Sequence, residues 1–217
     1  MEVKQKGLAA DPVALENHER IGGGAGTDAF RRYSLRGRFL YSGEQLLLEP
    51  RTPPSTAAKN GSEKIEKIGA YVFTPFLRTD SESEGEIVLV NRGWVGKRQS
   101  EGLAGNDLRD EGDEIELIVV RSRQDNPGIF APSNSPAEKR FRWQDLGAMR
   151  AASGLPSSTQ IVDCVGMTNP SSPKLKLRDA ESLLEERTIP FTHAVYAVTW
   201  YSLAAAGIVM TRRLLKV

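Results

Sequence analysis

The chain is poor in cysteine and histidine, two residues that often carry enzymatic or metal chemistry. Its 217 residues include one cysteine, Cys164, and two histidines, His18 and His193. A single cysteine excludes an internal disulfide, and because no histidine lies near it in the sequence we expect a buried thiol, not a nucleophile. The two histidines are at opposite ends of the chain, so the sequence contains no readable zinc or other metal site. The sequence also lacks Gly-x-Ser-x-Gly, and together these features argue against an enzyme.

The chain also lacks an excess of charge of either sign. The 29 basic and 28 acidic residues nearly balance, with a net charge of +1, so composition predicts no electrostatic partner such as nucleic acid. The first eight residues contain neither the apolar run of a signal peptide nor an Arg-rich presequence. With 39% hydrophobic and 26% charged residues, the composition is that of an ordinary globular domain.

The longest uncharged run lies at the C-terminus. Residues 191–211 contain no Asp, Glu, Lys or Arg, and as a helix they would reach roughly the 30 Å of a bilayer core. We therefore predict a transmembrane helix; the alternative is a buried amphipathic helix of a soluble domain. Arg212, Arg213 and Lys216 follow the run, and by the positive-inside rule they place the C-terminus in the cytoplasm or in an organelle matrix.

The middle of the chain has the period-two pattern of β-strands. Tyr33, Leu35, Gly37 and Phe39 alternate with polar residues, which is typical of a strand with one solvent-exposed face. Further apolar or alternating runs, separated by turn-forming residues, predict strands at residues 45–48, 70–77, 86–95, 114–123 and 160–167.

One short helix interrupts these strands. Trp143, Leu146 and Met149 recur at intervals of three, and Gly154 supplies a helix stop, so we predict a helix over residues 143–152. The fold class is therefore mainly β (α+β): an antiparallel sheet or barrel-like extramembrane domain with one short helix, plus a C-terminal transmembrane helix.

The predicted organisation has three parts. Residues 1–29 form a charged helical segment and a Gly-rich linker, residues 30–189 a β-rich domain that ends in an exposed connection at 169–184, and residues 190–217 the transmembrane helix with its basic tail. The glycines at 22–26 resemble a phosphate-binding loop, but no Lys-Ser/Thr follows them and no strand precedes them. We interpret them as a flexible linker.

His193 is the one residue whose position suggests a ligand. Near a bilayer boundary a histidine is either a solvated interfacial residue or a ligand, and neutral imidazole is a common axial ligand of haem iron. Tyr196 and Trp200 follow at spacings of three and seven, so all three share one helical face. That face is suited to stacking on a porphyrin or to packing against a partner helix.

Three motifs occur in an order that resembles a known family. They are Val-Leu-Val-Asn-Arg-Gly-Trp-Val at 88–95, Phe-Ala-Pro-Ser-Asn-Ser-Pro at 130–136 followed by Trp-Gln-Asp-Leu at 143–146, and His-x-x-Tyr-x-x-Thr-Trp-Tyr at 193–201. Over residues 11–217 the chain resembles the Surfeit locus protein one family of cytochrome c oxidase assembly factors.

The resemblance implies a location and an architecture. Members of this family lie in the mitochondrial inner membrane or a bacterial plasma membrane, with a β-rich domain on the outer face between two transmembrane helices. We therefore expect most of the chain in the intermembrane space and the C-terminus in the matrix. Because the first helix of the family would precede Met1, we expect the sequence to be truncated at its N-terminus.

The resemblance also implies a function. The implied function is that of a non-enzymatic chaperone of respiratory chain complex IV, which assists maturation of the largest oxidase subunit. The expected partners are that subunit and other assembly factors, and no nucleic acid is expected. Haem a delivery is a further expectation, since His193 matches the suspected ligand of bacterial relatives. The open alternatives are a membrane-anchored haem-modifying enzyme and a structural subunit of a respiratory complex.

The resemblance assigns the remaining residues to two groups. Asn91, Arg92, Gly93 and Trp94 form a structural motif, and within it we expect Arg92 and Trp94 to shape the domain through a strand-edge hydrogen bond and core packing. The expected partner contacts are Tyr196, Trp200 and Tyr201. They lie beside the small residues at 204–207, which allow close helix packing.

Overall fold

The computed structural model describes residues 9–14, 31–40, 45–54, 66–80, 85–101, 114–167, 175–178, 183 and 190–215. The chain divides into two compact units, residues 1–184 and 185–217. The strands are β1 (Val13–Ala14), β2 (Tyr33–Phe39), β3 (Leu46–Arg51), β4 (Gly69–Arg78), β5 (Ile87–Gly96), β6 (Ile115–Arg121), β7 (Arg140–Phe141) and β8 (Ile161–Met167). The helices are α1 (Lys97–Glu101), α2 (Leu146–Ala152) and α3 (Pro190–Leu214), with a 3₁₀ turn at Pro136–Glu138.

Five strands of the first unit close into a ring in the order β2, β6, β8, β5, β4 and back to β2. Neighbouring strands are antiparallel except β5 and β8, which are parallel. Numbered along the chain, these five strands have the order 1-2-3-5-4-1, which is that of the OB-fold, a small Greek-key barrel. The predicted barrel-like β domain is thus confirmed, whereas the parallel pair was not predicted.

Gly37 is the residue at which the ring closes. It lies opposite Ile115 of β6 and also opposite Arg78 of β4, so the two halves of β2 pair with different strands. A Cβ atom at this position would overlap the carbonyl oxygen of Leu77. Only glycine allows β2 to approach β4 this closely, and closure of the ring therefore depends on the missing side chain.

Buried apolar side chains from all five ring strands form one cluster, which fills the interior of the barrel. The alternation predicted for β2 is confirmed, because Tyr33, Leu35 and Phe39 point into this cluster. The other members are Phe76, Val88, Val90, Ile115, Leu117, Val119, Val162 and Cys164.

A second apolar cluster lies on the opposite face of β4 and β5, beneath β7 and α2. In this layer β3 pairs with β4, and β7 pairs with β3. Met149 of α2 is fully buried, and Asp145 caps the helix by accepting a hydrogen bond of 3.0 Å from the Ala148 amide. The predicted short helix is confirmed, and the chain itself covers this face of the barrel. The cluster comprises Leu46, Leu48, Tyr71, Phe73, Leu89, Trp94, Phe141, Met149 and Ile161.

Three local predictions for the first unit were wrong or incomplete. Val13–Ala14 forms a strand parallel to β2, although the segment before the Gly-rich linker was predicted to be helical. Residues 175–178 are half-buried and Lys176 pairs with Trp94, so this part of segment 169–184 is not an exposed connection. The helix α1 was not predicted. The glycine run at 22–26 lies outside the described residues, and the predicted domain borders stay predictions.

The second unit contains α3, a helix of 25 residues whose described side chains, from position 195 to 214, are all exposed. Among the residues whose positions the structure describes, no helix is both long and apolar enough to cross a membrane. The helix is confirmed, but the prediction that it spans a membrane is not supported. The hydroxyls of Thr199, Ser202 and Thr211 donate to carbonyls four residues earlier in the helix.

Candidate functional site

The Asn91–Trp94 motif lies at a β-bulge in β5. Asn91 is opposite Phe73 of β4, and Gly93 is opposite the preceding residue, Val72, so Arg92 has no opposite residue on that strand. A bulge adds one residue to a strand and reverses the alternation of its side chains beyond that point. The motif is therefore the place where β5 changes which residues face the barrel interior.

The change of alternation is visible in the packing on either side of the bulge. Leu89 and Trp94 are five residues apart and would face opposite ways in a regular strand, yet both belong to the cluster beneath α2. Arg92 points to the other side, where its guanidinium carbon is 4.3 Å from the centre of the Phe39 ring. Arg92 is fully buried, so the barrel interior contains a cation against an aromatic face.

The same interior contains Cys164. Its thiol is buried and donates to the carbonyl oxygen of Gly166 at 3.2 Å. Burial raises the pKa of this thiol from 9.0 to about 12, against the smaller lowering effects of that hydrogen bond and of Arg92. The prediction of a buried thiol is confirmed, and at neutral pH the group is fully protonated.

A polar chain of three side chains connects β5 to β8 and to residues 175–178. Asn91 donates to Oδ1 of Asp163 at 2.6 Å, and Arg178 forms an ion pair with Oδ2 at 3.3 Å. Asp163 is 3% exposed, and the guanidinium carbon of Arg178 is 5.3 Å from the centre of the Tyr71 ring. Because both carboxylate oxygens are bonded, Asp163 holds the two strands and the following segment together.

Gly93 allows residues 175–178 to lie against β5. The amide of Trp94 donates to the Lys176 carbonyl at 2.8 Å, and the Lys176 amide donates to the Trp94 carbonyl at 2.9 Å. Gly93 has a φ of +131°, and a Cβ atom there would be 2.7 Å from the Lys176 carbonyl oxygen. Glycine is required at this position both for its backbone conformation and for the close approach of Lys176.

The structure confirms one expected role within this motif and adds residues to it. Trp94 packs in the core as predicted, and its ring nitrogen donates to the Arg51 carbonyl at 3.0 Å. The hydrogen bond predicted for Arg92 stays a prediction, although β5 lies between β4 and β8 and is not an edge strand of the sheet. Sequence reasoning missed Asp163 and Arg178; the available signal was one acidic residue inside the apolar run at 161–165.

The residues predicted to bind haem or a partner lie on α3. The backbone of His193 is part of this helix, but its side chain is outside the described residues. Tyr196, Trp200 and Tyr201 are 62%, 70% and 77% exposed. Tyr196 and Trp200 are four residues apart and therefore share one face, which begins at His193.

Comparison with known proteins identifies the family. The model of the SURF1 family matches residues 2–205. The chain is 26% identical to Surfeit locus protein 1 of Arabidopsis thaliana, over the whole chain and 70% of that protein. It is 31% and 30% identical to the Surfeit locus protein 1 of Rattus norvegicus and of Homo sapiens, over 92% of the chain. It spans only 58% and 60% of those two proteins. The match confirms the resemblance in the sequence, and the chain belongs to the SURF1 family.

Proposed function

We propose that this protein is an assembly factor for cytochrome c oxidase that assists maturation of the largest oxidase subunit. The observation that carries the proposal is family membership over residues 2–205, because the family that the chain resembles acts in this process. The proposal includes action at the mitochondrial inner membrane, with the barrel unit in the intermembrane space.

The two units differ in what they expose, and we propose a different role for each. The barrel unit has a filled interior, a covered outer face and a buried, fully bonded carboxylate at Asp163. These are properties of a rigid scaffold and not of a residue available for acid–base chemistry, and they support a non-enzymatic role. The helix α3, in contrast, exposes large apolar side chains on all sides, which is typical of a surface that binds a partner.

The partner contacts proposed for α3 are Tyr196, Trp200 and Tyr201, beside the small residues at 204–207. Aromatic residues contribute large contact areas at low entropic cost, and small residues allow close approach of a second helix. We propose that this surface binds an apolar helix of the newly made oxidase subunit and releases it when the subunit is complete.

Haem a is the proposed cargo of the same surface. A neutral histidine can act as an axial ligand of haem iron, and the exposed aromatic rings of Tyr196 and Trp200 lie on the helical face that begins at His193. Such rings are suited to contact with the porphyrin plane. In this arrangement His193 would hold the cargo and the aromatic residues would orient it.

Rescue of cells that lack their own SURF1-family protein tests the proposal. We expect the chain to restore oxidase activity and the amount of assembled oxidase on native gels. The variant Y196S/W200S/Y201S should accumulate normally but fail to restore assembly. The matched control T199A/S202A/T211A shortens side chains whose hydroxyls bond within the helix and should rescue. Normal accumulation of the unaltered chain without any gain in assembled oxidase would contradict the proposed function.

A further inference from the structure

The barrel unit has a second exposed apolar feature, far from α3 in the sequence. Ile129 and Phe130 are 98% and 97% exposed, the highest values among the large hydrophobic residues that the structure describes. We call residues 126–137 the tip loop. Single exposed apolar residues are ordinary, but two adjacent large ones with almost no intramolecular contact point to a binding surface.

The tip loop is held in place at both ends. At its start, the Asp125 amide donates to the Gln144 carbonyl at 3.0 Å, and Oδ2 of Asp125 accepts from the Gln144 amide at 2.8 Å. Near its end, Oδ1 of Asn134 accepts from the amides of Arg142 and Trp143 at 2.7 and 3.2 Å. The exposed pair therefore projects from a fixed base, which lowers the entropic cost of binding.

The backbone at the tip forms a tight turn. The Ala131 amide donates to the Gly128 carbonyl at 2.9 Å, so Ile129 and Phe130 are the two central residues of a four-residue turn. Both side chains consequently project at the outermost point of the loop. The result is a convex apolar knob, not a groove.

The composition of the tip loop indicates what could cover this knob. Residues 126–137 include no charged residue and three prolines, at 127, 132 and 136. Proline has no amide hydrogen. An amide that leaves water for an apolar medium without a hydrogen-bond partner costs free energy. The three prolines therefore reduce the number of amides that incur this cost when the loop enters such a medium. The exposed side chains of Arg123 and Arg142 lie at the two stems of the loop, where they can meet anionic headgroups.

We propose that the tip loop is a membrane-binding element that inserts Ile129 and Phe130 into the interfacial region of a lipid bilayer. A convex, uncharged knob requires either a matching pocket in a protein or a deformable apolar medium. The three prolines, which have no amide hydrogen, and the arginines at the two ends of the loop favour a lipid surface over a protein pocket. The proposal is independent of the function proposed above, since it concerns only the barrel unit and its contact with lipid.

A fluorescent probe at the tip of the full-length chain tests this directly. The variant Ala131→Cys places one reactive thiol beside the apolar pair, and Cys164 is buried and protonated, so an environment-sensitive label should react only at position 131. We would add phosphatidylcholine vesicles with and without an anionic lipid and with nitroxide-labelled lipids as quenchers. Ser157→Cys, on an exposed turn of the same unit, is the matched control label.

We expect the label at position 131 to shift to the blue and to be quenched on vesicle addition, more strongly with anionic lipid, while the label at position 157 stays unchanged. Replacing Ile129 or Phe130 by Ser should weaken this response roughly tenfold each, because each buried side chain is worth about one to two powers of ten in affinity. Ile68→Ser, which removes an apolar side chain that is 53% exposed elsewhere on the same unit, should have no effect.

Three outcomes would overturn the proposal. The first is binding of the protein to vesicles with an unchanged label at position 131, which would place attachment elsewhere in the chain. The second is no vesicle binding at all. The third is a response of the same label to detergent-solubilised oxidase subunits but not to lipid, which would make the tip loop a protein-docking surface.

Discussion

Asn91 and Asp163, 72 residues apart in the chain, share a buried hydrogen bond of 2.6 Å between β5 and β8. These strands are the parallel pair of the ring, and parallel pairing is slightly less stable per residue than antiparallel pairing. The side-chain bond between Asn91 and Asp163 adds to the backbone pairing of β5 with β8. Since Asp163 also holds Arg178, the same carboxylate attaches residues 175–178.

The first prediction concerns this carboxylate. Asp163→Ala should lower the free energy of unfolding by about 2–4 kcal/mol, because it leaves the Asn91 amide and the Arg178 guanidinium without their partner in a buried site. Asp163→Asn keeps an acceptor for Asn91 and should cost less. Urea unfolding followed by circular dichroism measures both, with Glu138→Gln, on an exposed turn, as the control. Equal stability of Asp163→Ala and the unaltered chain would refute a structural role for Asp163.

The second prediction concerns the contact between β5 and residues 175–178. Gly93→Ala should lower the free energy of unfolding by about 2 kcal/mol or more, because it adds a side chain at a positive φ and forces the Lys176 carbonyl away. The amides of Trp94 and Lys176 should then exchange hydrogen faster than in the unaltered chain. Gly128→Ala is the control, since an added Cβ there meets no atom within 4 Å. Unchanged exchange at both amides would show that the contact does not require glycine.

The third prediction follows from the buried thiol of Cys164. Its pKa is raised to about 12 in the folded protein, from 9.0 for an exposed thiol, so above pH 9 the unfolded chain loses this proton while the folded chain keeps it. The contribution of this thiol to the free energy of unfolding is therefore fully present below pH 9.0 and falls as the pH rises towards 12. Between about pH 8 and pH 10 this group alone should lower the free energy of unfolding by about 1.4 kcal/mol.

Comparison with Cys164→Ala isolates this effect from other groups that titrate at high pH. The variant is less stable at neutral pH because it leaves a small cavity, but its stability should fall less steeply with pH. Parallel loss of stability in both proteins over this range would mean that the thiol does not contribute.

The fourth prediction concerns His193. The full-length chain, purified from a host that makes haem a, should show a haem a band in its visible spectrum, and His193→Ala should lose it. Trp200→Ala should weaken the band without removing it, because in the proposed arrangement the ring orients the porphyrin and is not an iron ligand. A band of equal strength in His193→Ala would exclude this histidine as the ligand.

Most strands could be predicted because their burial follows from a local pattern. In β2, Tyr33, Leu35 and Phe39 face one way at every second position, and the burial of β6 alternates in a similar way. The strands β4, β5 and β8 are instead buried almost continuously, and runs of apolar residues mark them in the sequence. The parallel pairing of β5 with β8 could not be predicted in this way. It depends on contacts between Leu89 and Ile161, which no local periodicity encodes.

The site was only half predictable for the same reason. The sequence marked Asn91 to Trp94, but the partners of this motif come from other parts of the chain, and the bulge at Arg92 appears only when β5 is paired with β4. The predicted membrane span rested on the absence of charge between 191 and 211. Among the residues that the structure describes, no helix is long and apolar enough to cross a membrane, so this prediction is not supported.

The measurement that tests the central claim most directly is affinity capture of this chain from rescued cells at intervals after pulse-labelling of the newly made largest oxidase subunit. An assembly factor should capture the labelled subunit at early times and lose it as the finished oxidase appears. Failure to capture the subunit at any time would contradict the proposed function, and so would stable retention of the chain in the finished oxidase, which would make it a structural subunit.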